Sequence, residues 1–92
     1  MLLGKTMKEY ADEMKRRYLP DYMVPAVYNY LENRKSPGGF LSAVIQNNLH
    51  GAISQADDQN RQVLHYWVRL LYNEFPQDAW GSVEEYKQWL EG

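Results

Sequence analysis

The sequence predicts an all-α protein, an irregular bundle of five or six short helices built from residues 1–92 as one domain. Three observations lead there. Apolar residues recur at spacings of three and four along the chain, and no stretch alternates with period two over a useful length. Helix punctuation is dense, with T-x-x-E and S-x-x-E boxes, prolines and glycines dividing the chain at short intervals. The 92 residues, 45% of them hydrophobic, supply one small core and leave no room for a second.

The first helix opens at Thr6, whose hydroxyl accepts from the Glu9 amide while the Glu9 carboxylate returns the bond. Its apolar stripe is Leu3, Met7, Tyr10, Ala11, Met14 and Tyr18; Asp12 with Arg16 and Glu13 with Arg17 stand four apart as ion pairs. Pro20 ends it. Pro25 suits a first turn, so the second helix starts between Asp21 and Val24 and stops near Asn33, with Met23, Val27, Tyr30 and Leu31 inward. Ser36-Pro37-Gly38-Gly39 reads as N-cap, first-turn proline and two glycines opening a third helix through Phe40, Leu41, Val44 and Ile45. Around Asn47-Asn48 the chain bends or continues, and Leu49, Ala52, Ile53 and Ala56 form a fourth stripe. Asp57-Asp58 caps the longest helix, expected to run unbroken to about Glu74 as the central member, with Val63, Leu64, Trp67, Val68, Leu71 and Phe75 along it. Pro76 to Ser82 forms a mobile loop anchored by Trp80. Ser82 with Glu85 repeats the capping box before Val83, Tyr86, Trp89 and Leu90.

Composition narrows function mainly by exclusion. Ten basic and twelve acidic residues give a net charge of -2, so no global positive field collects nucleic acid or acidic lipid. The charge is mildly uneven: residues 1–46 hold seven basic and five acidic groups (+2), residues 47–92 three and seven (-4). Absence of cysteine removes disulfides, thiolate metal sites and cysteine nucleophiles. Met1 to Lys5 is too short an apolar opening for a secretory signal, and the apolar run Val63–Tyr72 is interrupted by His65 and Arg69, so a cytoplasmic protein outside the membrane is expected.

Catalytic and metal motifs fail one by one. His50 and His65 stand in no ligand spacing, and no serine sits in a G-x-S-x-G elbow. Gly38-Gly39 leads into Phe40 rather than a lysine, so it is a tight helix start and not a phosphate loop. Asp57, Asp58 and Asn60 lack the glycine and glutamate that complete a calcium loop, which leaves capping. The expectation is a non-enzyme without cofactor or metal.

A further pattern lies in Pro37-Gly38-Gly39-Phe40-Leu41-Ser42-Ala43-Val44-Ile45-Gln46-Asn47-Asn48-Leu49, followed by Ala56-Asp57, Asn60, Leu71-Tyr72-Asn73, Pro76 and Trp80-Gly81-Ser82. Over roughly residues 20–90 it resembles a group of small uncharacterised proteins encoded by bacteriophages, prophages and mobile elements. The resemblance implies a genomic setting and a bacterial host cytoplasm; it implies no activity and no functional residue.

Eight tyrosines and three tryptophans are many for so short a chain, and such side chains dominate interface hot spots. Tyr10, Tyr30, Trp67, Tyr72 and Trp89 each read singly as core or core rim, but collectively the surplus favours an interface. The expected function is therefore a phage- or prophage-encoded interaction protein that binds and modulates a host or phage protein, with a homodimer as a further possibility. Candidate interaction residues are Asn47, Gly51 and Ser54, a row of small polar groups opposite the fourth stripe, and Trp80 in the loop. The alternative is a small helix-turn-helix regulator of DNA or RNA reading bases with residues 46–55. Against it, Ser36 to Gln62 holds one basic residue and two acids, while phosphate contacts supply most affinity in such proteins. A positive patch forms only if Lys15, Arg16 and Arg17 converge with Arg34 and Lys35.

Overall fold

Local capping chemistry decides where this chain turns. The computed structural model describes all residues from 1 to 92 and contains α1 (Met7–Arg16), α2 (Val24–Asn33), α3 (Gly39–Ile45), α4 (Leu49–Gln55), α5 (Asp58–Gln62), α6 (Leu64–Glu74) and α7 (Val83–Glu91). Short 3-10 turns at Asp21–Met23 and Gln77–Ala79 complete it, and there is no strand. The all-α class holds, but the helices number seven rather than five or six. No helix is long and apolar enough to cross a membrane.

The extra helix comes from a break in the expected Asp58–Glu74 span. Val63 has φ -112° and ψ 20°, its amide bonds back to Arg61 and Asn60 carbonyls, and a new helix starts from its own carbonyl. The break lets both segments face inward. Asn60 in the middle of α5 is the one buried polar residue outside the apolar cluster, and its Oδ1 accepts from Trp67 Nε1 at 2.8 Å. A buried indole N–H left without a partner costs about 1–3 kcal/mol, so this bond fixes how α5 meets α6.

Where the caps are local, sequence chemistry suffices. Thr6 and Glu9 form the complete capping box, which holds the Glu9 carboxyl below its usual range chiefly through the Thr6 amide and then the Thr6 hydroxyl. Asp57 caps α5 through the Asn60 amide at 2.7 Å, and Ser82 caps α7 through the Glu85 amide at 3.1 Å, although only that half of the second box forms. Ser36 is not the cap of α3: Gly38 occupies that place at φ 90°, a region only glycine enters freely, and Pro37 before it is buried. Asn47 at φ 63° closes α3 in the left-handed conformation, with the Asn48 amide reaching back to the Ala43 carbonyl, and the Asn48 side chain then caps α4.

One apolar cluster of 21 buried residues sits among the helices. Trp67, Tyr10, Tyr30, Leu41, Ile45 and Leu70 are fully enclosed, each worth on the order of 1.5–3 kcal/mol of burial. Tyr30 is the hub. Its ring stacks on Tyr86 at 5.9 Å and Phe75 at 6.3 Å, its hydroxyl donates to the Ala79 carbonyl at 2.6 Å, and its own carbonyl accepts from Trp89 Nε1 at 2.7 Å. Burial pushes the Tyr30 phenol well above its ordinary range.

Several expected stripes are narrower than the periodicity implied. On α1 only Tyr10 and Met14 are buried, and Leu2 rather than Leu3 enters the core. On α4 only Ala52 is buried, with Ala56 just after it; Leu49 and Ile53 lie exposed. Val68 and Val83 also face outward. A short helix contacts its neighbour along one or two turns, so the outer edges of a stripe remain in solvent. Of the expected ion pairs, Glu13 with Arg17 forms, whereas Arg16 turns to Glu13 as well and Asp12 pairs with Lys8 instead.

Candidate functional site

The outward face of α6 exposes Val68 and Tyr72, and the neighbouring α4 exposes Leu49 and Ile53. The inward side of α6 carries Trp67, Leu70 and Leu71, so a turn of helix geometry places Leu64, Val68 and Tyr72 at four-residue steps along one outer flank. Beside that flank stands α4, held by the three-residue connection from α3, and it contributes Leu49. Between them lies a groove of ≈ 50 Å³ lined by Val44, Asn47, Asn48, Leu49, Ala52, Leu64 and Val68. None of these is charged. Leu49 is 65% and Val68 48% exposed, values far above those of the core stripe to which the periodicity assigns both.

The sequence candidates fall unevenly onto this face. Asn47 lines the groove. Trp80 is half-buried and meets Tyr72 edge to face at 6.3 Å, so Trp80 and Tyr72 stand at the end of the Leu64-Val68-Tyr72 line. The Trp80 loop is anchored less by the indole than by the Gly81 amide on the Ile45 carbonyl at 2.8 Å and by Ala79 under Tyr30.

Gly51 and Ser54 take no part in a row with Asn47, because Asn47 precedes the N-cap and lies outside α4. Gly51 instead sits under its own cap: a Cβ there would meet Asn48 Nδ2 at 2.5 Å, while its amide donates to Asn48 Oδ1 at 2.9 Å. Backbone approach by a partner is not needed to explain this glycine.

The five basic candidates do not converge. Glu32 near the end of α2 accepts from the Gly4 and Lys5 amides and the Tyr10 hydroxyl at the start of α1, so the two helices run antiparallel. Arg34 and Lys35 therefore sit at the opposite end of α1 from Lys15, Arg16 and Arg17, roughly 15 Å away for ten helical residues. Arg34 is spent structurally, lying 3.9 Å above the Trp89 ring and donating to the Trp89 carbonyl.

The exposed face also redistributes the aromatic surplus. Tyr10, Tyr30, Trp67 and Trp89 are core residues, while Tyr72 and Tyr18 are 72% and 73% exposed. Sequence reasoning missed Leu49, Val68 and Tyr72 as surface groups because helical spacing alone does not say which edge of a stripe meets a neighbour. His50 and His65 are both exposed, on α4 and α6, and nowhere do three histidine, aspartate or glutamate side chains gather as a metal cage. Comparison with protein-family models, curated proteins and solved structures gives no match to this chain.

Proposed function

We propose that this chain is a non-enzymatic interaction protein, phage- or prophage-encoded, that binds a bacterial or viral protein and modulates it. The observation that carries the reading is the uncharged groove between α4 and α6 with Leu49 and Val68 exposed on its walls. Exposed aliphatic side chains around a concavity are costly to leave hydrated, and an apolar cover repays roughly 25 cal/mol per Å² removed from water. An uncharged cleft flanked by two helices suits one apolar side chain presented by an amphipathic helix of the partner. The genomic setting in this proposal rests only on the resemblance carried by the pattern in residues 20–90.

The helix-turn-helix alternative has one favourable feature, the three-residue connection between α3 and α4. Against it, α4 carries no lysine or arginine and exposes Leu49 and Ile53 where a recognition helix needs polar groups. A salt titration of nucleic-acid affinity separates the two readings, since a regulator loses affinity steeply with salt.

The direct test is affinity capture from bacterial lysate with wild type, Leu49→Asp, Val68→Asp and a Lys8→Glu control. Both groove positions are exposed, so each variant should keep its stability within about 0.5 kcal/mol. A partner held in fixed ratio by wild type and Lys8→Glu, and lost from both groove variants, supports the proposal. Equal retention by all four proteins defeats it.

A further inference from the structure

On the other flank of α6, and independent of the groove, a second pocket has the opposite chemistry. It measures ≈ 160 Å³ and is lined by Arg16, Arg17, Tyr18, Tyr66, Arg69 and Asn73. Three guanidinium groups from two helices distant in sequence converge there. Two carboxylates answer them: Glu13 binds Arg16 and also Arg17 at 2.7 Å, and Glu74 binds Arg17 at 2.5 Å. Glu74 is further shared with the Met1 amino group at 3.3 Å. Counting these groups, four positive charges face two negative ones, and Arg69 has no carboxylate partner. The carboxylates hold the Arg17 fork rigid while its Nε and the remaining donors of Arg16 and Arg69 are left without a protein acceptor.

The rim is aromatic. Tyr18 stands at φ 64°, a left-handed position that a bulky side chain rarely takes, and this turn swings its ring out to 73% exposure beside Tyr66 at 5.6 Å. His65 in turn lies 4.0 Å from the Tyr66 ring. The volume is well below the roughly 300–1,000 Å³ of sites that enclose a whole small ligand, so only an anionic group fits inside and the rest of the ligand lies over the rim.

We infer that this pocket binds a nucleoside monophosphate, its phosphate on Arg16, Arg69 and Asn73 and its base stacked on the exposed Tyr18 ring. Arginine forks match phosphate oxygens, and every nucleobase offers a face to an aromatic side chain. A long nucleic acid does not fit the inference, because the chain as a whole is acidic.

The test is a titration of the isotope-labelled protein with AMP, adenosine and inorganic phosphate, followed by amide resonances, on wild type, Arg69→Gln and Tyr18→Asn. Asparagine tolerates the left-handed backbone, so the second variant removes the ring and keeps the turn. Saturable AMP shifts confined to residues 16–18 and 65–73 are expected, with AMP at least tenfold tighter than either fragment. Arg69→Gln should weaken AMP and phosphate together; Tyr18→Asn should weaken AMP about tenfold and leave phosphate unchanged. The unshifted remainder of each variant's spectrum reports that it is folded. No saturable shift at millimolar AMP, equal affinity for AMP and inorganic phosphate, or tighter binding of free phosphotyrosine than of AMP would each overturn the inference.

Discussion

Replacing Asn60 with alanine probes the joint on which the seven-helix arrangement depends. Asn60 is 3% exposed, and its Oδ1 is the acceptor for Trp67 Nε1, itself wholly buried. Alanine removes the acceptor and leaves the indole N–H enclosed without a partner, while the backbone amide of residue 60 keeps its bond to Asp57. The orphaned donor alone costs about 1–3 kcal/mol, and with a central value of about 2 kcal/mol a domain of this size melts ~8–16 °C lower. Part of that loss is trivial truncation, so the informative quantity is the coupling with Trp67→Phe. In a phenylalanine background the N–H is gone, and Asn60→Ala should cost about 1–2 kcal/mol less than in wild type. Urea denaturation followed by far-ultraviolet circular dichroism measures all four proteins without relying on tryptophan emission. A coupling below about 0.5 kcal/mol would refute the claim that this bond sets the α5–α6 joint.

Other outcomes follow from the same contacts. Gly51→Ala should destabilise wild type, because its Cβ displaces the Asn48 cap worth about 0.5–2 kcal/mol, yet stabilise an Asn48→Ala background by up to about 1 kcal/mol of helix propensity; chemical denaturation of the four proteins checks the sign change. The Tyr22 hydroxyl donates to Asp57, which lowers the Asp57 carboxyl and pushes the Tyr22 phenol up to about 12. A depressed carboxyl stabilises above its unfolded value and loses that stabilisation as pH falls through the folded one; a raised phenol does so as pH rises. The stability difference between wild type and Tyr22→Phe should therefore be flat from about pH 5 to 9 and close below about pH 4 and above about pH 10. Glu9, depressed chiefly by the Thr6 amide, should give wild type an acid-side loss of stability that Glu9→Gln lacks, read from melting curves in the same buffers.

What was legible in the sequence is what local chemistry decides. The caps at Thr6, Asp57 and Ser82 and the first-turn Pro25 all form, because each needs only residues within one turn of chain. The break at Val63 was not legible, since its reason is a contact between Asn60 and Trp67 that looks like ordinary helix from spacing alone. The same limit hid the surface. Leu49 and Val68 satisfy a core pattern, and only the way α4 lies along α6 leaves them outside. Conversely, Asn47 stands at a helical spacing from Gly51 and Ser54 but outside their helix, because the chain turns in the left-handed conformation at Asn47. Arg69 joins Arg16 and Arg17 only through tertiary packing, whereas Arg34 and Lys35, suggestive as a basic dipeptide, are carried to the far end of α1.

The central claim, that the α4–α6 groove receives a partner protein, is tested most directly by site-specific photocrosslinking in bacterial cells. A photoreactive phenylalanine analogue placed at Leu49 or Val68, both exposed on the groove, should form an adduct with one other polypeptide, and the same analogue at the remote, exposed Lys8 should not. No adduct from either groove position, equal adducts from Lys8, or adducts only between two copies of this chain would contradict it.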